Sequence, residues 1–370
     1  MKLRHKQNDL NAVAILTGFP PPYGGVGVHV DRLIDIAMAE GVPYRVYDRL
    51  GKTIPERKIT ASGSTARAFL QLLITLKERV VHLHNNGIIA LVVAISILSW
   101  RSKTVLLTIH SQKPMRNHEK ACRLIRYLFE TRLRKVNRIF AVSTEIADGL
   151  IGMGVPSDRV CVAPAFVPPS ARHVDSSNLS KEIRQFLKVR SPIIGSHAWF
   201  GYFIDGVHVY SLDMIALLAK HLVRQNPTVG IYTVISGTYD ETHRRRILDL
   251  RKEEKLEENW MIIETPFHAA ALYAKTDVFV RPTITDGDSI SIRECLHLAI
   301  PVIASDAVDR PAGCILHESR NPDALIAAVD ALLAGTTAQP PFYASNTGFE
   351  ACNIILETYR ECILNKGGKR

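Results

Sequence analysis

Apolar and polar positions along this chain fall into two repeating patterns. Short apolar runs read as buried parallel strands: Val13–Leu16, Tyr44–Tyr47, Val80–His84, Thr104–Thr108, Arg138–Ser143 and Arg159–Pro164. Between them, Val28–Ala39, Thr65–Lys77, Gly87–Trp100, His118–Arg138 and Thr144–Gly152 carry apolar residues at helical spacing. The second half repeats the scheme. Strands are predicted at Pro192–Gly195, Gly230–Ser236, Met261–Glu264, Asp277–Arg281 and Pro301–Ser305. Helices are predicted at Leu212–Arg224, Glu241–Glu254, Ile290–Leu298, Pro322–Ala334 and Phe349–Cys362. Strand–helix alternation predicts α/β units with parallel sheets. Val167–Pro192, with Pro168-Pro169 and Ser176-Ser177, reads as a connection between two domains.

Two loops at strand ends carry candidate chemistry. The first follows Asp277–Arg281: Thr283–Ser289 has turn residues, and a helix begins near Ile290. Asp286 lies in the loop and Glu294 on the helix, with Ser289 and Ser291 at the helix start. Free N–H groups at a helix start favour a phosphate, and carboxylates accept from sugar hydroxyls. Phosphate and hydroxyls together describe a nucleotide-sugar. The plainer reading is that Asp286 opens a turn and Glu294 is a solvated helix residue. The second loop, Thr17 to Gly27, joins a strand to a helix, and Gly24 and Gly25 let backbone N–H groups approach an anion. It is not G-x-G-x-x-G, and no ribose-binding acid follows at the right distance, which argues against NAD. Loops of this kind also need glycine for geometry alone.

These stretches resemble the retaining family 4 of GT-B glycosyltransferases. Pro21-Pro22-Tyr23-Gly24-Gly25-Val26-Gly27-Val28-His29-Val30 is similar to that family's opening loop. Arg281-Pro282-Thr283, Asp286, Glu294 and Ala299-Ile300-Pro301-Val302-Ile303-Ala304-Ser305 are similar to its E-x7-E region, with Asp in place of the first Glu. The resemblance implies a GT-B fold: two doubly wound Rossmann-like domains facing across a cleft. The expected division is an acceptor-side domain 1–180, a nucleotide-sugar-binding domain 181–348, and a terminal segment 349–370. That last segment is a helix crossing back to the first domain, followed by a basic tail.

The resemblance further implies a sugar transfer from a nucleoside diphosphate sugar, with retention and without a metal. Asp286-Gly287-Asp288 has the letters of a metal-binding D-x-D but occupies the place of the family's first acid. No cofactor is expected beyond the nucleotide-sugar co-substrate. Glu294 would hold the ribose, and Asp286 with Gly287, Asp288 and Ser289 the sugar. Gly24 and Gly25 would complete the phosphate cradle. His110, directly after a strand, would address the sugar through a neutral imidazole. Phe267 would touch the base. The Arg and Lys that usually grip the diphosphate are missing, since no Arg or Lys lies between Ser196 and Lys220. Arg281 and Arg293 are the candidate substitutes, because guanidinium grips phosphate with paired hydrogen bonds. The same gap supports an alternative: a noncatalytic GT-B protein that binds a sugar nucleotide or a partner. A sugar-nucleotide epimerase on the same fold is a third reading.

Charge adds one element. Among 370 residues there are 46 Lys and Arg against 36 Asp and Glu, a net charge of +10. Arg101 to Arg138 holds eleven Lys and Arg against two Glu. Within it, Leu124, Ile125, Leu128 and Phe129 are predicted to form one apolar helix face. Such a segment suits an anionic membrane surface beside a lipid-linked glycan acceptor of surface polysaccharide assembly. No motif that reads nucleic acid accompanies the charge, so nucleic acid is not expected. The start Met1–Leu10 is polar, no apolar run is long enough to span a bilayer, and Gly87–Trp100 reads as a helix buried against a sheet. The six cysteines lie in apolar contexts without C-x-x-C, and read as reduced core residues of a cytoplasmic protein, peripheral at the membrane's inner face.

Overall fold

The computed structural model describes residues 11–20, 24–84, 87–201, 203–236, 240–264, 267–286, 289–337 and 347–364. They form two compact units. The first holds 11–20, 25–167 and 347–364, and the second holds 24 and 168–337. Pro168–Ser180, expected with the first domain, therefore clusters with the second.

The first unit is built on a parallel sheet of seven strands: β1 (Val13–Thr17), β2 (Tyr44–Asp48), β3 (Ile59–Ala61), β4 (Val80–Leu83), β5 (Thr104–Ile109), β6 (Arg138–Ala141) and β7 (Val160–Val162). Their order is β3-β2-β1-β4-β5-β6-β7. β1 and β4 are buried along their whole length, as central strands covered on both faces must be. The order reverses between β1 and β4, and ligands of open α/β sheets bind at such a reversal. The helix Thr347–Leu364 fills one side of this unit: Ala351, Cys352, Ile355, Leu356 and Tyr359 pack with Val13, Ile15, Val80 and Leu106.

The second unit holds β8 (Ile193–Ala198), a small antiparallel hairpin β9 (Phe203–Ile204) and β10 (Val207–His208), then β11 (Gly230–Ile235), β12 (Trp260–Ile263), β13 (Val278–Arg281), β14 (Val302–Ser305) and β15 (Cys314–His317). The main sheet is parallel, in the order β12-β11-β8-β13-β14-β15. Its reversal falls between β8 and β13. The hairpin turns at Asp205 and Gly206, both with positive φ, the conformation that Asp-Gly supplies.

Several expectations change. The predicted helix His118–Arg138 is two helices, Lys113–Lys120 and Arg123–Leu133, broken at Ala121-Cys122. Phe129 is fully buried, yet Leu124 is 66% exposed and so does not belong to the buried face. Leu91, Ala94, Ile95 and Leu98 of the helix Ile88–Trp100 join the core as expected, while Ile89 and Trp100 face outward. Cys295 and Cys352 are buried, but Cys122 is exposed. Among the described residues no helix is long and apolar enough to cross a membrane.

Candidate functional site

At the sheet reversal of the second unit, β13 ends on a buried arginine. Arg281 donates through Nε to Asp286 Oδ2 at 2.8 Å and through Nη2 to Asp286 Oδ1 at 3.1 Å. Its Nη1 donates to the carbonyl of His197 on neighbouring β8 at 2.8 Å, and the guanidinium lies 4.9 Å from the Tyr210 ring centre. A second arginine completes the arrangement. Arg310 donates to Asp286 Oδ2 at 3.1 Å, to Thr283 Oγ1 at 2.8 Å, and to the carbonyl and hydroxyl of Ser305 at 2.8 and 2.9 Å. One carboxylate is thus shared by two guanidiniums, leaving one net positive charge in a largely buried cluster. Burial pushes the Asp286 carboxyl up, but Arg281 and Arg310 outweigh it and hold its pKa below the ordinary value.

The loop held by this cluster leads into the helix Ile290–His297. Its N-cap, Ser289, makes no side-chain capping bond and sits 3.1 Å, Oγ to Oγ, from Ser291. First-turn N–H groups without a side-chain cap are a ready anion site. Glu294 lies on the inner side of this helix, buried with Ile292 and Cys295, so it is not a solvated helix residue. Burial first, and the nearby Glu294 charge second, push the Tyr273 hydroxyl well above its usual pKa. Tyr273 Oη is 2.6 Å from His197 Nδ1, and His197 Nε2 is 2.8 Å from Ser236 Oγ. Burial, then Arg281, lowers His197 to about 3, so this ring is neutral at physiological pH.

In the first unit, imidazoles gather at the carboxyl ends of β4 and β5. His110 follows β5, His82 and His84 lie on and just after β4, and His29 comes from the helix Gly25–Ala39 after β1. His84 Nδ1 is 2.9 Å from His110 Nε2. His82 is engaged at both nitrogens, by Tyr359 Oη at 2.5 Å and Thr108 Oγ1 at 2.8 Å. Burial is the main cause that lowers His29 to about 4 and His82 to about 3, and it carries His84 and His110 well below the usual imidazole value.

The sequence-predicted residues divide between these places. Asp286, Arg281, Ser289, Arg293 and Glu294 lie within one β-loop-α unit, while Gly287 and Asp288 fall outside the described residues. Arg281, expected on the diphosphate, directs three N–H donors to Asp286 and His197. Phe267 packs, partly buried, against the core near Ile292 and Cys295. Gly24 and Gly25 are exposed at the start of the helix Gly25–Ala39, and a Cβ at Gly24 would meet nothing within 4 Å. The tight glycine of that loop is Gly27, whose Cβ would come within 3.2 Å of Pro20. Sequence reading did not single out Arg310, His197 or His29. For Arg310 the available signal was an arginine just beyond the strand Pro301–Ser305.

Residues 23–171 match the model of Glycosyltransferase Family 4, and residues 200–335 match that of Glycosyl transferases group 1. No curated protein matches the chain. Solved structures match along nearly its whole length. A glycosyltransferase from Rickettsia africae ESF-5 aligns with a TM-score of 0.66 at 15% identity, over 96% of this chain and 99% of that one. Anabaena HepE, solved in complex with UDP-glucose, aligns with a TM-score of 0.65 at 15% identity, over 95% and 98%. Sucrose-phosphate synthase from Thermosynechococcus elongatus gives 0.63 at 15% identity, over 95% and 98%. At such identities the likeness is one of fold: two Rossmann-like domains of the GT-B type.

Proposed function

The chain belongs to the family 4, group 1 glycosyltransferases, and from that premise we propose that it moves a sugar, with retention and without a metal, from a nucleoside diphosphate sugar to a glycan acceptor. The observation that carries this reading is the Arg281–Asp286–Arg310 cluster beneath the helix Ile290–His297. Its net positive charge and the helix start both favour the diphosphate, and a preorganised positive field stabilises the charge that develops on the leaving phosphate. The two arginines act as posts for the loop rather than as grips. Most of their donors serve the protein itself, so the diphosphate is assigned to the N–H groups and serine hydroxyls of the helix start. Asp286 Oδ1 accepts from Arg281, and the carboxylate is assigned to a sugar hydroxyl as a further acceptor. Glu294 is assigned to the ribose. His110, a neutral imidazole, is assigned to the sugar. The leaving phosphate would assist deprotonation of the acceptor on the same face.

The acceptor in this reading is a lipid-linked glycan. Support comes from exposed Ile89, Trp100, Leu124 and Tyr127 on the adjoining helices Ile88–Trp100 and Arg123–Leu133. Exposed Arg116, Lys120, Arg123 and Arg126 accompany it. Apolar side chains among cations suit an anionic bilayer surface.

The test is donor binding and slow hydrolysis with UDP-, GDP- and dTDP-sugars, comparing the wild type with Glu294→Ala and reading the anomer released. One donor bound and hydrolysed with retention, and lost in the variant, is the expected result. Binding without turnover under any acceptor would favour the second reading, a noncatalytic sugar-nucleotide-binding protein. That reading draws on the missing Arg/Lys pair and on the internal commitment of Arg281 and Arg310.

A further inference from the structure

The proposed reaction uses one of the imidazoles at the end of the first sheet and leaves the others unexplained. His29 Nδ1 lies 2.8 Å from the carbonyl of Ala165. A carbonyl only accepts, so the proton is on Nδ1 and Nε2 carries a bare lone pair. That Nε2 is buried and has no hydrogen-bond partner among the described residues, and the same is true of Nε2 of His84. A buried acceptor left unsatisfied is destabilising unless something occupies it. His29, His84 and His110 each offer one ring nitrogen, and these nitrogens lie within 4.8 Å of one another.

We propose that His29, His84 and His110 form a binding site for a divalent transition-metal ion of the zinc class. Three neutral imidazoles with a fourth position left open are a known zinc ligand set, with Zn–N distances of about 2.0–2.1 Å. Tetrahedral geometry at that distance sets ligand nitrogens about 3.4 Å apart. His84 Nδ1 already stands 2.9 Å from His110 Nε2, a hydrogen bond that a shared metal ion would replace. The hydrogen bond from His29 to Ala165 is the outer-shell support that ligating histidines show: it fixes the tautomer and raises the basicity of the other nitrogen. Imidazole binds metal as the neutral ring, through the nitrogen that carries no proton. His82 is excluded as a ligand because both its nitrogens are engaged, but its ring packs 4.2 Å from that of His84 and backs it. An imidazole-only site favours zinc, cobalt or nickel over magnesium. The site lies wholly in the first unit and shares His110 with the proposed reaction, whose diphosphate contacts in the second unit need no metal.

The experiment uses the full chain without a histidine tag, stripped with chelator and titrated with Zn²⁺ by calorimetry and with Co²⁺ by visible absorption. The expected result is one equivalent bound, with the intense bands of tetrahedral cobalt. The double variant His29→Ala/His84→Ala should weaken binding by at least roughly 100-fold. His84→Cys keeps a ligand at that position and should add a thiolate-to-cobalt charge-transfer band missing from the wild type. That band reports ligation in a folded protein even if the double variant does not fold. A wild type that binds no stoichiometric Zn²⁺ or Co²⁺ overturns the proposal. So does unchanged binding in a folded double variant, or His84→Cys without the new band. None of these readouts depends on donor turnover, so the metal site and the transferase reading stand or fall separately.

Discussion

Asp286 is the single anion between two buried guanidiniums, and replacing it by asparagine tests the core of the second unit's site. Asp286→Asn keeps the shape and one acceptor but leaves Arg281 and Arg310 facing each other without a counter-charge. Removing one partner of a buried ion pair costs roughly 3–5 kcal/mol. For a unit of this size each kcal/mol corresponds to roughly 2–4 °C in Tm, so the expected drop is on the order of 10 °C. Arg310→Met should cost less, roughly 1–3 kcal/mol, because the Arg281–Asp286 pair survives the loss of the Arg310 bonds to Asp286, Thr283 and Ser305. The double variant Asp286→Asn/Arg310→Met should melt above Asp286→Asn alone, since it removes the repulsion. The assay is scanning calorimetry, with donor hydrolysis measured well below the melting temperature. Because the folded pKa of Asp286 is depressed, its contribution is present above the unfolded value of about 3.9 and is lost as pH falls through the lower folded value. The penalty of Asp286→Asn should accordingly be constant from neutral pH down to about 4 and shrink only below it. An Asp286→Asn protein that melts with the wild type, or a double variant that melts below it, would refute the reasoning.

Three further outcomes follow from the same structure. His197 is lowered to about 3, so its contribution to stability is present above the unfolded value of about 6.5 and declines as pH falls below that. Urea midpoints of His197→Asn should therefore lose part of the wild-type slope between pH 6.5 and about 4, and an unchanged slope would remove His197 from the account. A Cβ at Gly195 would stand 2.3 Å from Tyr232 Oη and 2.5 Å from Cζ, so Gly195→Ala should destabilise by roughly 1–3 kcal/mol in urea denaturation. Vesicles containing anionic lipid should sediment the wild type but not Leu124→Glu/Tyr127→Glu, and neutral vesicles should sediment neither.

Much of the fold was legible because parallel strands are continuous apolar runs, and Val13–Leu16, Thr104–Thr108 and Gly230–Ser236 need nothing beyond that pattern. Short edge strands such as Ile59–Ala61 and Cys314–His317 carry too few residues to declare a period. The break at Ala121-Cys122 also escaped, since neither residue is a helix breaker such as Gly or Pro. Within the site, Asp286 and Glu294 were readable because one local unit places both. Arg310 was not, because its loop has no periodicity and its partner is 24 residues away. His29 looked like an ordinary helix residue. Only the strand order, with β1, β4 and β5 side by side, brings it to His84 and His110.

The helix Thr347–Leu364 has a consequence for how this chain is made. Its buried residues complete the core against β1 and β4, and Tyr359 closes the hydrogen bonds of His82. The first unit therefore emerges from the ribosome early but cannot seal its apolar face until residues 347–364 have been released. The second unit, encoded between them, has its whole sheet available sooner. Domains generally fold as units in the order of synthesis, with exposed apolar surface the hazard of delay. Here that order is inverted, and the segment translated first waits longest with its core open.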